Sequence, residues 1–234
     1  MANPGPGRPR LEQRRRPGKT PRAEILDAAA ELFTNNGYAN TSTRRIADEV
    51  GIRQASLYHH FATKDDILDA LLADTVADAL ALSRWLVGVD APGDARLYRL
   101  VEFDVTQLCA GRWNLGALYL LPELRTERFA EFRRQRNLLR RDYAALAGAV
   151  IATLRATEDP APSGPALDPA VAELPFRLVE SSISIRSDDG RSPKWAAQVF
   201  PVAALQVLGW SGDVAVVAEG ARLLLKTPES ESNK

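Results

Sequence analysis

Apolar residues recur along this chain at helical spacing. Ile25, Leu26, Ala29, Leu32 and Phe33 fall on one face of a helix. Thr20-Pro21 precedes them as a cap and a first-turn proline, and Gly37 stops the helix as a left-handed residue would. Thr41-Ser42-Thr43 offers caps for a short helix over 44–50, with Ile46, Ala47 and Val50 inward and Gly51 at its end. A second short helix is predicted over 54–61, with Leu57 and Phe61 inward. Thr63 then caps a longer helix that reaches about Val87, with Asp66 as the acidic partner of a capping box and Ile67, Leu68, Leu71 and Leu72 buried. Further helical segments are predicted over 94–110, 113–120, 123–155, 168–186, 193–208 and 213–226. They are separated by Pro- and Gly-containing breaks, and Pro175 and Pro201 either kink their segments or move the starts. No β-hairpin signal and no internal repeat interrupts the pattern, so the expected fold class is all-α.

Hydrophobic residues make up 45% and charged residues 26% of the 234 positions, a balance that supports a packed core without disulfide staples. The one cysteine, Cys109, cannot form an internal disulfide and fits a reducing compartment. No run of about 18 apolar residues predicts a membrane helix. The Arg-, Pro- and Gly-rich start has no apolar stretch after its basic residues, so it does not read as a secretory signal. The formal net charge of zero hides an asymmetry. Residues 1–64 carry 11 Lys and Arg against 6 Asp and Glu, and the remainder carries 19 against 24. A basic front on an acidic body suggests a nucleic-acid contact confined to the front, although a basic solvated tail produces the same count. Residues 1–19 hold Arg8, Arg10, Arg14, Arg15, Arg16 and Lys19 against Glu12. They read as a disordered arm able to follow phosphates.

Two short helices joined by a tight Gly-containing turn, with a third helix before them, describe a helix-turn-helix. The second short helix has the width of a major groove, and its first residues meet base edges. Outward positions there are Arg53, Gln54, Ala55, Ser56, Tyr58, His59 and His60. Gln54 can pair with adenine through two hydrogen bonds, Arg53 with guanine, Ser56 with either, and Ala55 permits close approach or contact with a thymine methyl. Tyr58 can donate to phosphate. Thr43 and Arg44, at the start of the preceding helix, are placed for phosphate as well, and Lys64 is placed to clamp the opposite strand.

The run Gly37-Tyr38-Ala39-Asn40-Thr41-Ser42-Thr43-Arg44-Arg45-Ile46-Ala47, followed by Gly51-Ile52-Arg53-Gln54-Ala55-Ser56-Leu57-Tyr58-His59-His60-Phe61 and then Ala62-Thr63-Lys64-Asp65-Asp66-Ile67-Leu68, resembles the tetracycline-repressor-like (TetR) family. The resemblance covers about residues 21 to 72. It implies a DNA-binding head over 20–66 and a helical body over 67–228 that dimerises and holds a small-molecule pocket. The arm at 1–19 and a tail at 229–234 stand outside both. Residues implied to touch DNA are Thr43, Arg44, Gln54, Ala55, Ser56, Tyr58 and Lys64, with His59 and His60 beside them. Arg53 departs from the Ser or Glu usual there, so an operator cannot be transferred from a relative. The implied protein is a cytoplasmic homodimer, a repressor released from a pseudo-palindromic operator by an apolar or amphipathic effector.

Other chemistry is poorly supported. His59 and His60 are adjacent and cannot share a helical face as metal ligands, so no metal site and no cofactor are expected. Cys109 lacks a neighbouring base and reads as a buried thiol, and nothing suggests an enzyme. The arginines at 125, 128, 133, 134, 136, 140 and 141 read as a solvated face partly paired with Glu123, Glu127 and Glu131. Phe103, Trp113 and Phe176, in the mid-body helices, are the candidate ligand-pocket residues, against a plain core role for each. A helical module that binds protein rather than DNA remains the rival class, distinguished by a flat response to salt.

Overall fold

The computed structural model describes residues 16–157, 169–189 and 192–224. The basic arm before Arg16, the break around 160–168 and the C-terminal tail lie outside the described residues. Among these residues the chain is helical, without strands. The helices are α1 (Pro21–Asn36), α2 (Thr43–Val50), α3 (Gln54–Tyr58), α4 (Lys64–Gly88), α5 (Gly93–Ala110), α6 (Ala130–Thr157), α7 (Leu174–Asp189), α8 (Pro193–Gln206) and α9 (Val214–Leu223). The chain divides into two compact units at Leu71–Leu72.

The first unit is built as the polar and apolar spacing dictates. Thr20 caps α1 by accepting from the backbone N–H of Ala23, and Ser42 caps α2 by accepting from that of Arg45. Ile25, Ala28, Ala29, Phe33, Ile46, Ala47, Val50, Leu57, Ile67 and Leu68 are buried together as its core. Thr63 and Asp66 form the expected capping box: the Thr63 N–H donates to Asp66 at 2.9 Å and the Asp66 N–H to Thr63 Oγ1 at 3.1 Å. Gly37 has φ 84° and ψ 149°, so it ends α1 outside the left-handed helical well. Arg16 is not spread along the surface. Its guanidinium bonds Glu49 at 2.8 Å, Asp27 at 3.4 Å and also Glu31, which anchors the chain just before α1.

In the second unit α5 is the hub and packs against α6, α7, α8 and α9. Leu97, Leu100, Val101 and Val105 are fully buried along it. Between α5 and α6 the expected helices over 113–120 and 123–155 give way to three 3-10 turns, Leu115–Leu120, Pro122–Arg125 and Glu127–Phe129, and α6 begins only at Ala130. Pro122 restricts Leu121 to extended backbone, and the Arg133 guanidinium binds the carbonyls of Leu124 and Thr126, which a continuous helix would have used internally. A further 3-10 turn, Pro169–Glu173, leads into α7, where Pro175 sits in the first turn and sets the start. Pro201 lies inside α8 without ending it. Among the described residues, arginines of α6 pair across elements, Arg136 with Glu180 and Arg140 with Glu173 at 3.3 Å, and Arg134 pairs with its expected neighbour Glu131 at 2.6 Å.

Candidate nucleic-acid interface

The turn between α2 and α3 depends on Gly51, at φ 72° and ψ 36°, a left-handed conformation that costs other residues a Cβ clash. Its N–H and that of Ile52 return to the carbonyls of Asp48 and Ala47 at 3.1 and 3.0 Å, closing the end of α2. Leu57, fully buried, pins α3 to the core, while Phe61, nearly so, lies under the Arg22 guanidinium. The helix is shorter than the spacing predicts. His59 and His60 stand beyond its last residue in a turn, both exposed, so they extend from α3 rather than line it.

With Leu57 turned inward, Arg53, Ala55, Ser56 and Tyr58 are exposed, and Gln54 is half-buried against α2. Gln54 Nε2 donates to Thr43 Oγ1 at 3.0 Å and to the Tyr58 hydroxyl at 3.2 Å, and those two hydroxyl oxygens stand 3.1 Å apart. Arg44 is exposed beside Thr43. Lys64, at the start of α4, donates to the carbonyls of Tyr38 and Thr41 at 2.9 and 3.0 Å, and its ammonium lies 4.1 Å from the centre of the Tyr38 ring. Thr43, Tyr58 and Lys64 then share an open cleft of about 530 Å³ with Asn40, Ser42 and Thr63. The last three are absent from the sequence-derived set. Ser42 and Thr63 read as helix caps, which they are, and nothing in Asn40 marks it out beyond its place before them. The cleft offers a cation, hydroxyls and the first turn of α2, the groups that bind a phosphate backbone without regard to sequence.

Residues 25–71 match the family described as bacterial regulatory proteins, tetR family. A stretch of 80 residues is 40% identical to the HTH-type transcriptional repressor KstR2 of Rhodococcus jostii (strain RHA1), covering 34% of this chain and 39% of that repressor's length. Along almost its whole length the chain is similar to the crystal structure of Mycobacterium smegmatis AmtR, with 60% identity, a TM-score of 0.82, and coverage of 92% of this chain and 100% of that one. The chain belongs to the TetR family. The structure of KstR2 of Mycobacterium tuberculosis, 24% identical, shares the fold with a TM-score of 0.63 over 82% of this chain and 95% of that one. As a TetR-family protein the chain is a DNA-binding transcriptional regulator and not an enzyme. No described helix is long and apolar enough to cross a membrane.

The body of this TetR-family regulator encloses a cavity of about 20 Å³, room for one water molecule, lined by Thr75, Asp104, Tyr119, Leu139, Arg136, Phe176 and Glu180 among others. A neighbouring groove of about 120 Å³ shares Thr75 and Leu108 with it and is lined by Gln107 and Trp113. Phe176 therefore lines the cavity and Trp113 the groove. Phe103 lines neither, and the Arg99 guanidinium lies 5.7 Å from its ring centre. The polar wall of the cavity is absent from the aromatic candidates that the sequence offers. Burial pushes the Asp104 carboxyl up to about 7, against the hydrogen bond from the Tyr143 hydroxyl at 2.9 Å, which pulls it down. Tyr119 donates to Thr75 Oγ1 at 2.7 Å. Arg136 pairs with Glu180 and lies over the Tyr119 and Phe176 rings, and burial lowers its pKa. A signal for this wall was present: Asp104 follows Val101 and precedes Val105 and Leu108, an acid set into the buried stripe of α5. Cys109 is buried, and burial pushes its thiol up, as a structural thiol requires.

Proposed function

We propose that this chain is a repressor that binds a pseudo-palindromic operator as a homodimer and leaves it when a small amphipathic ligand opens the body cavity. The head, over 20–66, supplies Gln54, Arg53, Ala55 and Ser56 to base edges, with His59 and His60 at their flank. It supplies Thr43, Arg44, Tyr58 and Lys64 to phosphates. The observation that carries this reading is the convergence of Gln54, Thr43, Tyr58 and Lys64 on one open face of the head. The body, over 67–228, carries the effector site, with Phe176 and Trp113 along its apolar walls. Phe103 joins them only if the cavity enlarges. Because Asp104, Arg136, Glu180 and the Tyr119 hydroxyl share that wall with Phe176 and Leu139, a ligand with a polar head and a compact apolar part fits better than a purely apolar one. Release follows only if the ligand binds the form with weak operator affinity more tightly than the other. The place of action is that of the DNA, the cytoplasm.

The test is fluorescence anisotropy of the full-length protein on DNA from upstream of its own gene, with shuffled competitor and a salt series. Operator binding that survives the competitor and falls roughly a thousandfold between about 50 and 200 mM salt is the expected result. Binding that is indifferent to salt points to a protein-binding module and overturns the reading.

A further inference from the structure

The Gln54 carboxamide and the hydroxyls of Thr43 and Tyr58 close a ring of three hydrogen bonds. Gln54 Nε2 serves both hydroxyls, Thr43 at 3.0 Å and Tyr58 at 3.2 Å, with the two oxygens 3.1 Å apart. The two bonds differ in kind. The one to Thr43 joins α3 to the first turn of α2 and is partly buried, whereas the one to Tyr58 runs one turn along α3 and is exposed.

In the major groove adenine offers its N7 as acceptor and its N6 amino group as donor. A glutamine meets both with its carbonyl oxygen and the N–H on the same side of the amide, so its other N–H is surplus. In this head Thr43 Oγ1, 3.0 Å from Nε2 and on the neighbouring helix, is an acceptor at hand for it. We infer that Thr43 is a positioning residue for base reading: it holds one N–H of Gln54 both before and after DNA binds, and so fixes the plane of the amide. The Tyr58 hydroxyl occupies the place of the base and yields it to adenine N7. The exchange breaks two hydrogen bonds, Gln54–Tyr58 and Thr43–Tyr58, and forms three. Gln54 trades Tyr58 for N7 and its oxygen gains the N6 amino group, while the released Tyr58 hydroxyl turns its proton to a phosphate oxygen. Because Gln54 is already ordered in the free head, that ordering is not charged against binding. The inference rests on Gln54 reading a base, and it adds to the phosphate role of Thr43 a share in specificity.

Phosphate contact alone weakens all sequences alike, whereas positioning of Gln54 changes discrimination at one base pair. The probe is a duplex selected from a random pool by the wild-type protein. Companion probes carry each A·T pair of a half-site replaced in turn by G·C. Wild type is expected to discriminate about 10- to 100-fold at the pair that Gln54 reads, and Gln54→Ala removes that ratio. Thr43→Val keeps the branched shape and deletes the acceptor, and it is expected to cut the same ratio by about tenfold while leaving ratios at other pairs alone. Thr43→Ser restores it. Tyr58→Phe weakens all probes by one factor and leaves the ratio. If Thr43→Val fails to fold by circular dichroism, Thr43→Ala carries the same expectation. A uniform loss in the Thr43 variants, with the ratio intact, overturns the inference and leaves Gln54 as a base reader. Unchanged ratios in Gln54→Ala, or a selection that yields no consensus, remove the base-reading role itself and the inference with it.

Discussion

Lys64 shows how a single residue can carry two roles that its sequence position does not separate. Its place after a capping threonine suits a phosphate clamp, and that expectation stands as a proposal. In the folded head two of its three N–H donors already serve the carbonyls of Tyr38 and Thr41, which close the loop between α1 and α2. Hydrogen bonds from a charged group contribute about 1.5–3 kcal/mol each when well sheltered, and less here because the side chain is half-exposed. Lys64→Ala is therefore expected to destabilise the head by about 1–3 kcal/mol and also to reduce the salt slope of DNA binding by about one. All four tryptophans, Trp85, Trp113, Trp195 and Trp210, lie in the second unit, so their fluorescence does not report the head. Amide exchange in α1 and α2 does. Unaltered exchange would assign Lys64 to DNA alone, and an unaltered slope would assign it to the fold alone. The ring around Gln54 belongs to the same class of hidden information. Its members were each legible as DNA contacts, but an 11-residue separation between Gln54 and Thr43 gives no hint that their side chains meet.

At the scale of elements, what sequence revealed were the helices that carry their own punctuation. Thr20, Ser42, Thr63, Gly37 and Gly51 mark α1, α2 and α4 locally, and the structure uses each of them. The stretch before α6 misleads because Glu123, Arg125, Glu127 and Arg128 suit a helix, and what undoes it is Arg133, a residue beyond the stretch, gripping its carbonyls. The α5–α6 pairing likewise holds a feature that local pattern announces only by half: Asp104, 3% exposed, stands visibly in the apolar stripe of α5, but nothing nearby in the chain points to Tyr143, from which it accepts at 2.9 Å. Desolvation raises this carboxyl to about 7, above the value of about 4 expected in an unfolded chain. The folded protein thus holds the proton more tightly than the unfolded chain does. Its stabilising contribution is complete below about pH 4 and is lost as pH rises through about 7. Asp104→Asn keeps an acceptor for Tyr143 and cannot ionise. Thermal melts at pH 6 and pH 8.5 are expected to separate less in the variant than in the wild type, with the variant the more stable at the higher pH. Equal separation in both proteins would mean that Asp104 stays ionised throughout.

For the whole molecule, charge and apolar surface argue the same organisation. The formal charge sums to zero, yet the basic excess sits in residues 1–64, so the part that meets DNA is separable in sequence from the rest. The apolar residues of α9 divide in the structure. Val217 and Ala221 face the body's own core at 4% and 1% exposure, while Val216 and Leu223 stand 70% and 72% exposed, with Val199, Val207 and Val214 also open on α8, the turn after it and α9. We propose this set, on the last two helices and the turn between them, as the surface that a homodimer of this chain covers, since such exposed apolar residues add little to the core of a single copy. Val216→Glu and Leu223→Glu together are expected to leave the circular dichroism and melting of the body unchanged and to yield a monomer in light scattering at micromolar concentration. Joining two heads through one body makes the second half-site contact intramolecular, which raises apparent affinity by about a hundred- to ten-thousandfold over one head. The monomeric variant should therefore lose about that factor on a two-half-site operator and very little on a single half-site. A variant that remains dimeric would move the interface elsewhere on the body. A monomer that binds the full operator as tightly as wild type would show that one head suffices, and the pseudo-palindrome would then have no role in recognition.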